Sequence, residues 1–200
     1  MTAYIDTLAP HFVFIHGANQ TSSSWSHILA HLQPKNYTLI EYNSKHPFAY
    51  NLEQMTEQLS NTENIFFVAH SLGGIYSLYL YEQYKENVVG AVTISTPYGG
   101  SSLARFLRYM FPTYQIFKDI CPTSPAIYLG NQVSITVPWT QIVSTGGHHP
   151  IHILPNDGVV TINSMMNRSD IDYLVVNEDH YDVMYSNEVI NTIKNLSKTT

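Results

Sequence analysis

The sequence predicts an α/β fold in which about six mostly parallel strands form one sheet flanked by helices. Three observations predict this class. Short apolar runs suited to strands alternate with stretches of helical period. Several of these runs are apolar on both faces, as the strands of a parallel sheet covered by helices must be. The length of 200 residues, 44% of them hydrophobic, suits a single domain with one sizeable core.

Six runs are predicted to form the strands. In chain order they are HFVFI (11–15), YTLIEY (37–42), NIFFVA (64–69), VVGAVTI (88–94), WTQIVS (139–144) and IDYLVV (171–176). Five stretches have the period of a helix. They are SSWSHILAHL (23–32), NLEQMTEQLS (51–60), SLGGIYSLYLYEQYK (71–85), SSLARFLRYM (101–110) and SNEVINTIKNL (186–196). The alternation breaks between 100 and 138, so residues 101–138 are a candidate for a cap or lid inserted into the single domain of residues 1–200.

The run NIFFVAHSLGGIY (64–76) changes from strand to helix at one serine. The predicted strand ends at Ala69, and Ser71 stands in a tight turn before a helix that begins at once. This is the arrangement of a nucleophile elbow, which lifts a serine hydroxyl away from the sheet. Ala69 and Gly73 are small enough to let the neighbouring strand and helix approach. A serine that merely caps a glycine-containing helix is the alternative.

Two backbone N–H groups are candidates for an oxyanion hole. The Leu72 N–H lies at the positive N-terminal end of the helix behind Ser71. The first strand runs into His16, Gly17 and Ala18, where a turn at the carboxyl edge of the sheet would present the Ala18 N–H. His16 and Gly17 are therefore also candidates for contact with a substrate.

With both motifs in place, the chain resembles the α/β-hydrolase superfamily, and within it the compact bacterial lipases and esterases. The resemblance runs from about Phe12 to Leu196 and is loosest over residues 101–150. Ala69 replaces the usual glycine of the elbow, a change that the compact lipases also carry. The resemblance implies an acid and then a histidine downstream of Ser71.

Asp157 and His180 occupy the positions where the family carries those two residues. Asp157, in LPNDGVVTINS, follows the fifth predicted strand and is similar to the family's acid loop, although Asn-Asp-Gly is also strong turn chemistry by itself. His180, in NEDHYDVMYSNEV, follows the last strand and takes the position of the general base, with a plain surface histidine as the alternative. Ser71, Asp157 and His180 would then form a catalytic triad.

This triad implies a serine esterase or lipase that cleaves a small-molecule acyl ester or lipid through an acyl-enzyme, without a metal or other cofactor. A thioesterase or amidase would use the same groups, and a non-catalytic binding protein of the same fold is the alternative of another class. The segment TPYGGSSLARFLRYMF resembles the entry to a lipase cap, where Leu103, Phe106 and Leu107 would line an acyl groove. The alternative is an ordinary helix packed on the core.

Composition and sequence pattern bear on the kinds of partner and on the location that the protein is expected to have. Lys and Arg number 9 against 15 Asp and Glu, and no cluster of cations suits a nucleic acid. The N-terminus lacks the pattern of a signal peptide, and no apolar run approaches the ~20 residues of a membrane span, which predicts a cytoplasmic protein without stable membrane insertion. The single Cys121 is interpreted as structural. The group His148, His149 and His152 is interpreted as a solvated loop rather than a zinc site.

Overall fold

The computed structural model describes residues 9–147 and 154–199. Six strands lie in these residues: β1 (His11–Ile15), β2 (Tyr37–Ile40), β3 (Ile65–His70), β4 (Val88–Ile94), β5 (Trp139–Ser144) and β6 (Asp172–Val176). The same residues contain eight α-helices: α1 (Ser26–Leu32), α2 (Phe48–Leu59), α3 (Leu72–Gln83), α4 (Ser102–Met110), α5 (Gln115–Asp119), α6 (Pro125–Gly130), α7 (Ile162–Met165) and α8 (Asn187–Thr199).

All six strands run parallel in one sheet, with the order β2-β1-β3-β4-β5-β6. The predicted fold class is confirmed. Among the described strands β6 forms one edge of the sheet and pairs only with β5. The order reverses at β1, which lies between β2 and β3. In such sheets ligands bind beyond the carboxyl ends of the strands near the reversal, so the segments after β1 and β3 mark the expected place of a site.

The sheet is buried on both faces. Ile65, Phe67 and Ala69 of β3 belong to the hydrophobic cluster formed with α2 and α3. Phe66 and Val68 face the other way and belong to the cluster formed with α1 and α8. Every residue of β3 is buried, which explains why its sequence is apolar throughout rather than alternating.

The predicted bounds differ from the observed ones in a few places. β2 ends at Ile40 rather than at residue 42, and the hydroxyl of Tyr42 donates a hydrogen bond to the carbonyl of His16 instead of continuing the sheet. α2 begins at Phe48, directly after Pro47, and not at residue 51. The short helices α5, α6 and α7 were not predicted, because four to six residues are too few to show a helical period.

Three predictions made from composition and motifs can be compared with the structure. No helix in the described part of the chain is long and apolar enough to cross a membrane. The group His148, His149 and His152 lies outside the described residues. Cys121 is buried in the insertion between β4 and β5, with its sulfur 3.4 Å from the hydroxyl of Thr123.

Candidate active site

Ser71 lies on a sharp corner between β3 and α3. Its backbone has φ 51° and ψ −120°, a conformation that a residue with a side chain adopts only when its surroundings hold it. The Ser71 N–H donates a 2.8 Å hydrogen bond to the carbonyl of Ile94 at the end of β4. A Cβ on Gly73 would collide with the backbone carbonyl oxygens of Ile15 and His16. The corner therefore requires the small residue that the sequence supplies there.

Hydrogen bonds place Ser71, His180 and Asp157 in one line. The Nε2 atom of His180 is 3.1 Å from the Oγ atom of Ser71, and its Nδ1 atom is 2.7 Å from Oδ2 of Asp157. A carboxylate can only accept a hydrogen bond, so Nδ1 carries the proton and Nε2 is left to accept one from Ser71. The backbone N–H of His180 also donates to the Asp157 carbonyl, at 2.9 Å. His180 and Asp157 are buried, which fixes this geometry.

The carboxylate of Asp157 accepts four hydrogen bonds. Its Oδ1 atom accepts from the backbone N–H groups of Val159 and Val160, at 2.9 and 2.7 Å. Its Oδ2 atom accepts from His180 and from the Ser144 hydroxyl, the latter at 2.6 Å. Four donors fill the acceptor capacity of an ionised carboxylate. Asp157 is therefore held as a carboxylate in one orientation.

A second serine extends the hydrogen-bonded chain behind Asp157. The Oγ atoms of Ser95 and Ser144 are 2.6 Å apart in the buried space at the ends of β4 and β5. Because Ser144 uses its proton toward Asp157, the Ser95 hydroxyl must be the donor in this pair. Ser95 also has a positive φ of 52°, so its backbone is bent at the edge of the sheet as that of Ser71 is.

The electrostatic environment keeps Asp157 ionised. Burial alone would raise the pKa of its carboxyl group. The hydrogen bond and the charge of His180, together with hydrogen bonds from Ser144 and the Val160 backbone, outweigh burial, and the net effect lowers the pKa. An ionised Asp157 can stabilise the positive charge that His180 acquires when it accepts a proton.

Two backbone donors next to Ser71 are open. The described residues contain no hydrogen-bond acceptor for the N–H of Ala18 or of Leu72. Leu72 is the first residue of α3, where an N–H group has no partner within its own helix. Ala18 follows Gly17, which lies against the Ser71 side chain: a Cβ on Gly17 would be 3.2 Å from the Cβ of Ser71.

A cavity of about 290 Å³ opens beside Ser71 and His180. Its polar side is formed by the turn after β1, from Gly17 to Gln20. Its apolar side is formed by Ile116 and Phe117 of α5, with Ile120 just after that helix. None of the described residues that line it is Asp, Glu, Lys or Arg. The arrangement can hold an uncharged group with its reactive carbon near the Ser71 hydroxyl.

Of the residues predicted to contact a substrate, some line this cavity and others lie outside it. Gly17 lines the cavity. His16 does not, because its fully buried ring stacks on Tyr42 and its Nδ1 atom is 2.8 Å from the Gly17 carbonyl. Leu103, Phe106 and Leu107 lie on α4, outside the lining of the cavity, and Phe106 is 62% exposed. The apolar wall of this cavity is formed by α5, a helix that the sequence period did not reveal.

Several polar residues of the site were missed by sequence reasoning. Ser144 and Ser95 lie in or just after strands, where a serine carries no signal of its own. His70 and Gln20 flank the two recognised motifs, His70 directly before Ser71 and Gln20 two residues after Ala18. The signal that could have identified them is their position at the carboxyl ends of β1, β3, β4 and β5, where parallel strands bring side chains together.

The comparisons with known proteins agree on the fold. A family model described as the alpha/beta hydrolase fold matches residues 10–115, more than half of the chain. A comparison with curated proteins finds no match.

Solved structures share the architecture over almost the whole chain. A mature lipase of Bacillus licheniformis superposes with a TM-score of 0.67 at 18% identity, covering 96% of this chain and 93% of the lipase. A lipase-esterase related protein of Clostridium acetobutylicum gives 0.68 at 12% identity, covering 94% of both chains. A haloalkane dehalogenase of Paraglaciecola agarilytica gives 0.69 at 12% identity, covering 94% of this chain and 84% of the dehalogenase. At such identities the likeness shows the fold alone.

Proposed function

We propose, from the premise that this chain belongs to the α/β-hydrolase fold family, that it is a serine hydrolase acting on carboxylic esters. One observation carries the proposal. The hydrogen-bonded line from Asp157 through His180 to Ser71 ends beside two open backbone N–H groups, those of Ala18 and Leu72. This set supplies the nucleophile, the base, the group that orients the base and the oxyanion donors of acyl transfer.

The first half of the reaction forms an acyl-enzyme. His180 Nε2 takes the proton of Ser71 as Oγ attacks the carbonyl carbon of the ester, and the carbonyl oxygen becomes negative. The N–H groups of Ala18 and Leu72 donate to this oxyanion. The bond to the alcohol oxygen then breaks, and the proton on His180 Nε2 goes to the departing alkoxide. The acyl group remains bound to Ser71.

The second half returns the enzyme to its starting state. A water molecule gives a proton to His180 Nε2 as its oxygen attacks the acyl carbon, and the same two N–H groups hold the new oxyanion. The bond from carbon to Ser71 Oγ breaks, the serine recovers its proton from His180, and a carboxylic acid is released. Asp157 stays ionised throughout and keeps the proton of Nδ1 in place.

The cavity favours a short or medium acyl chain. Its volume of about 290 Å³ lies at the lower end of the roughly 300–1,000 Å³ typical of pockets for small molecules. The absence of ionised Asp, Glu, Lys or Arg among the described lining residues favours an uncharged substrate. The lipase and lipase-esterase related protein of similar fold support an ester as the substrate class.

A series of p-nitrophenyl esters from acetate to palmitate tests the proposal. We expect hydrolysis that is lost in Ser71→Ala, whose melting temperature should stay close to that of the unmodified protein. A fluorophosphonate probe should label the native protein at Ser71 alone. Matched thioester and anilide substrates form two further arms. Faster turnover of either would replace the ester assignment, and hydrolysis or labelling that persists in Ser71→Ala would contradict the assignment of the nucleophile.

A further inference from the structure

His70, the residue directly before Ser71, forms a hydrogen bond with the backbone of His180. It is the last residue of β3 and its side chain is buried. Its Nε2 atom is 2.9 Å from the backbone carbonyl oxygen of His180. A carbonyl can only accept, so this contact is a hydrogen bond when Nε2 of His70 carries the proton. This hydrogen bond connects two segments 110 residues apart in the chain.

The other side of the His70 ring is closed by the turn that follows β1. Its Nδ1 atom is 3.0 Å from Oε1 of Gln20, and the same oxygen accepts a 2.9 Å hydrogen bond from the Gly17 N–H. A neutral ring donates from one nitrogen only, and here both nitrogens face an oxygen. The amide of Gln20 can rotate or turn its NH2 group toward Nδ1, whereas the backbone carbonyl of His180 cannot, so the proton of His70 is assigned to Nε2. A Cβ on Gly17 would come within 2.9 Å of His70 Nδ1. The ring therefore has little room to turn away from His180.

We propose that His70 is a positioning residue. Its Nε2–H holds the backbone carbonyl of His180, and so keeps His180 in the position from which its own imidazole reaches Ser71. This inference rests on the proposed function. It goes beyond it by assigning a role to a side chain outside the line from Asp157 to Ser71. The backbone of His180 itself makes two contacts, its N–H with the Asp157 carbonyl and its carbonyl with His70. Removal of the second leaves a buried carbonyl without its donor and the backbone of His180 held through its N–H alone.

The protonation state of His70 suits this role. Burial and, to a smaller extent, the neighbouring charge of His180 lower its pKa to about 3. The ring centroids of His70 and His180 are 4.9 Å apart, so a positive charge on both rings at once is disfavoured. His70 therefore stays neutral and keeps its donor while His180 gains and loses the proton of the reaction.

Three substitutions of His70 distinguish the effect of its hydrogen bond to the His180 carbonyl from the effect of its packing. Glutamine at this position presents an amide N–H about as far from the backbone as Nε2 of histidine, so His70→Gln should retain kcat within about fivefold. Methionine fills similar space without a donor, and His70→Met should lower kcat by about ten- to a hundredfold with KM within about twofold, as the loss of a donor to a buried carbonyl implies. His70→Asn keeps an amide that is too short to reach and should behave like His70→Met, which provides the test if methionine prevents folding. His31→Met, on the exposed surface of α1, is the control.

The rate of labelling by a fluorophosphonate probe is measured alongside hydrolysis, because it reports activation of Ser71 without any choice of substrate. A wild-type protein that is not labelled would refute the proposed function. A labelled wild type with His70→Met or His70→Asn labelled equally fast would overturn the role of His70 alone. Equal loss in His70→Gln and His70→Met would also overturn it, because packing would then account for both.

Discussion

Ser144 donates its hydroxyl proton to Oδ2 of Asp157 at 2.6 Å, the same oxygen that accepts from Nδ1 of His180. One carboxylate oxygen therefore orients the imidazole of His180 while it is itself held by a buried hydroxyl. The rest of the carboxylate is fixed by backbone groups that a mutation cannot remove. Among the residues that the structure describes, Ser144 is the one side chain besides His180 that donates to this carboxylate, so its removal tests how firmly the carboxylate must be held.

Ser144→Ala should lower kcat about tenfold, because loss of one hydrogen bond to a charged group costs about 1.5–3 kcal/mol and only part of this falls on the transition state. KM should change little. Ser95→Ala is the matched control, since Ser95 contacts Asp157 only through Ser144. Steady-state kinetics on a short ester measure both. A larger loss of kcat in Ser95→Ala than in Ser144→Ala would contradict the order of hydrogen bonds from Ser95 through Ser144 to Asp157.

Asp157→Asn should reduce kcat by a factor on the order of ~10⁴ while the protein stays folded. An amide cannot accept from all four donors that surround this side chain, so His180 would lose the partner that keeps the proton on Nδ1. Asp179→Asn and Asp182→Asn are the controls and should cost about tenfold or less. Asp182 is exposed, and Asp179 accepts from the backbone of Tyr181 and Asp182. Near-full activity of Asp157→Asn would show that the acid lies elsewhere.

Phe117→Ala should shift the preference among ester substrates toward longer acyl chains, because Phe117 lines the cavity and loss of its ring enlarges it. Phe106→Ala removes an equally large side chain from α4, outside the lining, and should leave the chain-length profile unchanged. The ratio of kcat/KM for octanoate and acetate esters is the measurement. If the profile moved only in Phe106→Ala, the acyl site would lie on α4, where the sequence pattern predicted it.

Asp119→Asn should stabilise the protein at neutral pH. Burial raises the pKa of Asp119 from its usual 3.8 to about 6, against the lowering effect of a hydrogen bond from Gln115. The folded state thus holds a proton that the unfolded state has released, so the free energy of unfolding falls as pH rises from about 4 to 6 and stays lower above it. The neutral amide avoids this penalty, which amounts to about 1–3 kcal/mol.

Thermal melts across pH check the effect of Asp119. The melting temperature of Asp119→Asn should exceed that of the unmodified protein at pH 7–8, and the difference should vanish near pH 4. Asp172→Asn, at an exposed position at the start of β6, serves as the control for replacing a carboxylate by an amide, and its melting temperature at pH 7–8 should stay close to that of the unmodified protein. A constant difference at all pH values would mean that the Asp119 carboxyl does not titrate with a raised pKa.

The six strands of the sheet could be predicted from the sequence because each of them is an apolar run that can be recognised locally. The resemblance to the α/β-hydrolases pointed to Ser71, Asp157 and His180, each of which follows a predicted strand, and the structure brings their side chains within hydrogen-bond distance. The sequence was insufficient for α5, because Tyr114, Ile116, Phe117 and Ile120 show an apolar cluster but too short a helix for a period. It could not identify Ser144, whose role depends on a neighbour brought close only by folding.

The position of His180, the proposed base, has a consequence for how the proposed activity would be lost. His180 follows β6, an edge strand, whereas Ser71 follows β3 in the middle of the sheet. Edges and ends of a structure open locally at lower free energy than its centre. Fraying of β6 alone would separate His180 from Ser71 while β1 to β5 remain paired. In a denaturant titration, the inactivation midpoint would then precede the loss of secondary structure seen by circular dichroism, so that turnover reports damage to the molecule before its spectrum does.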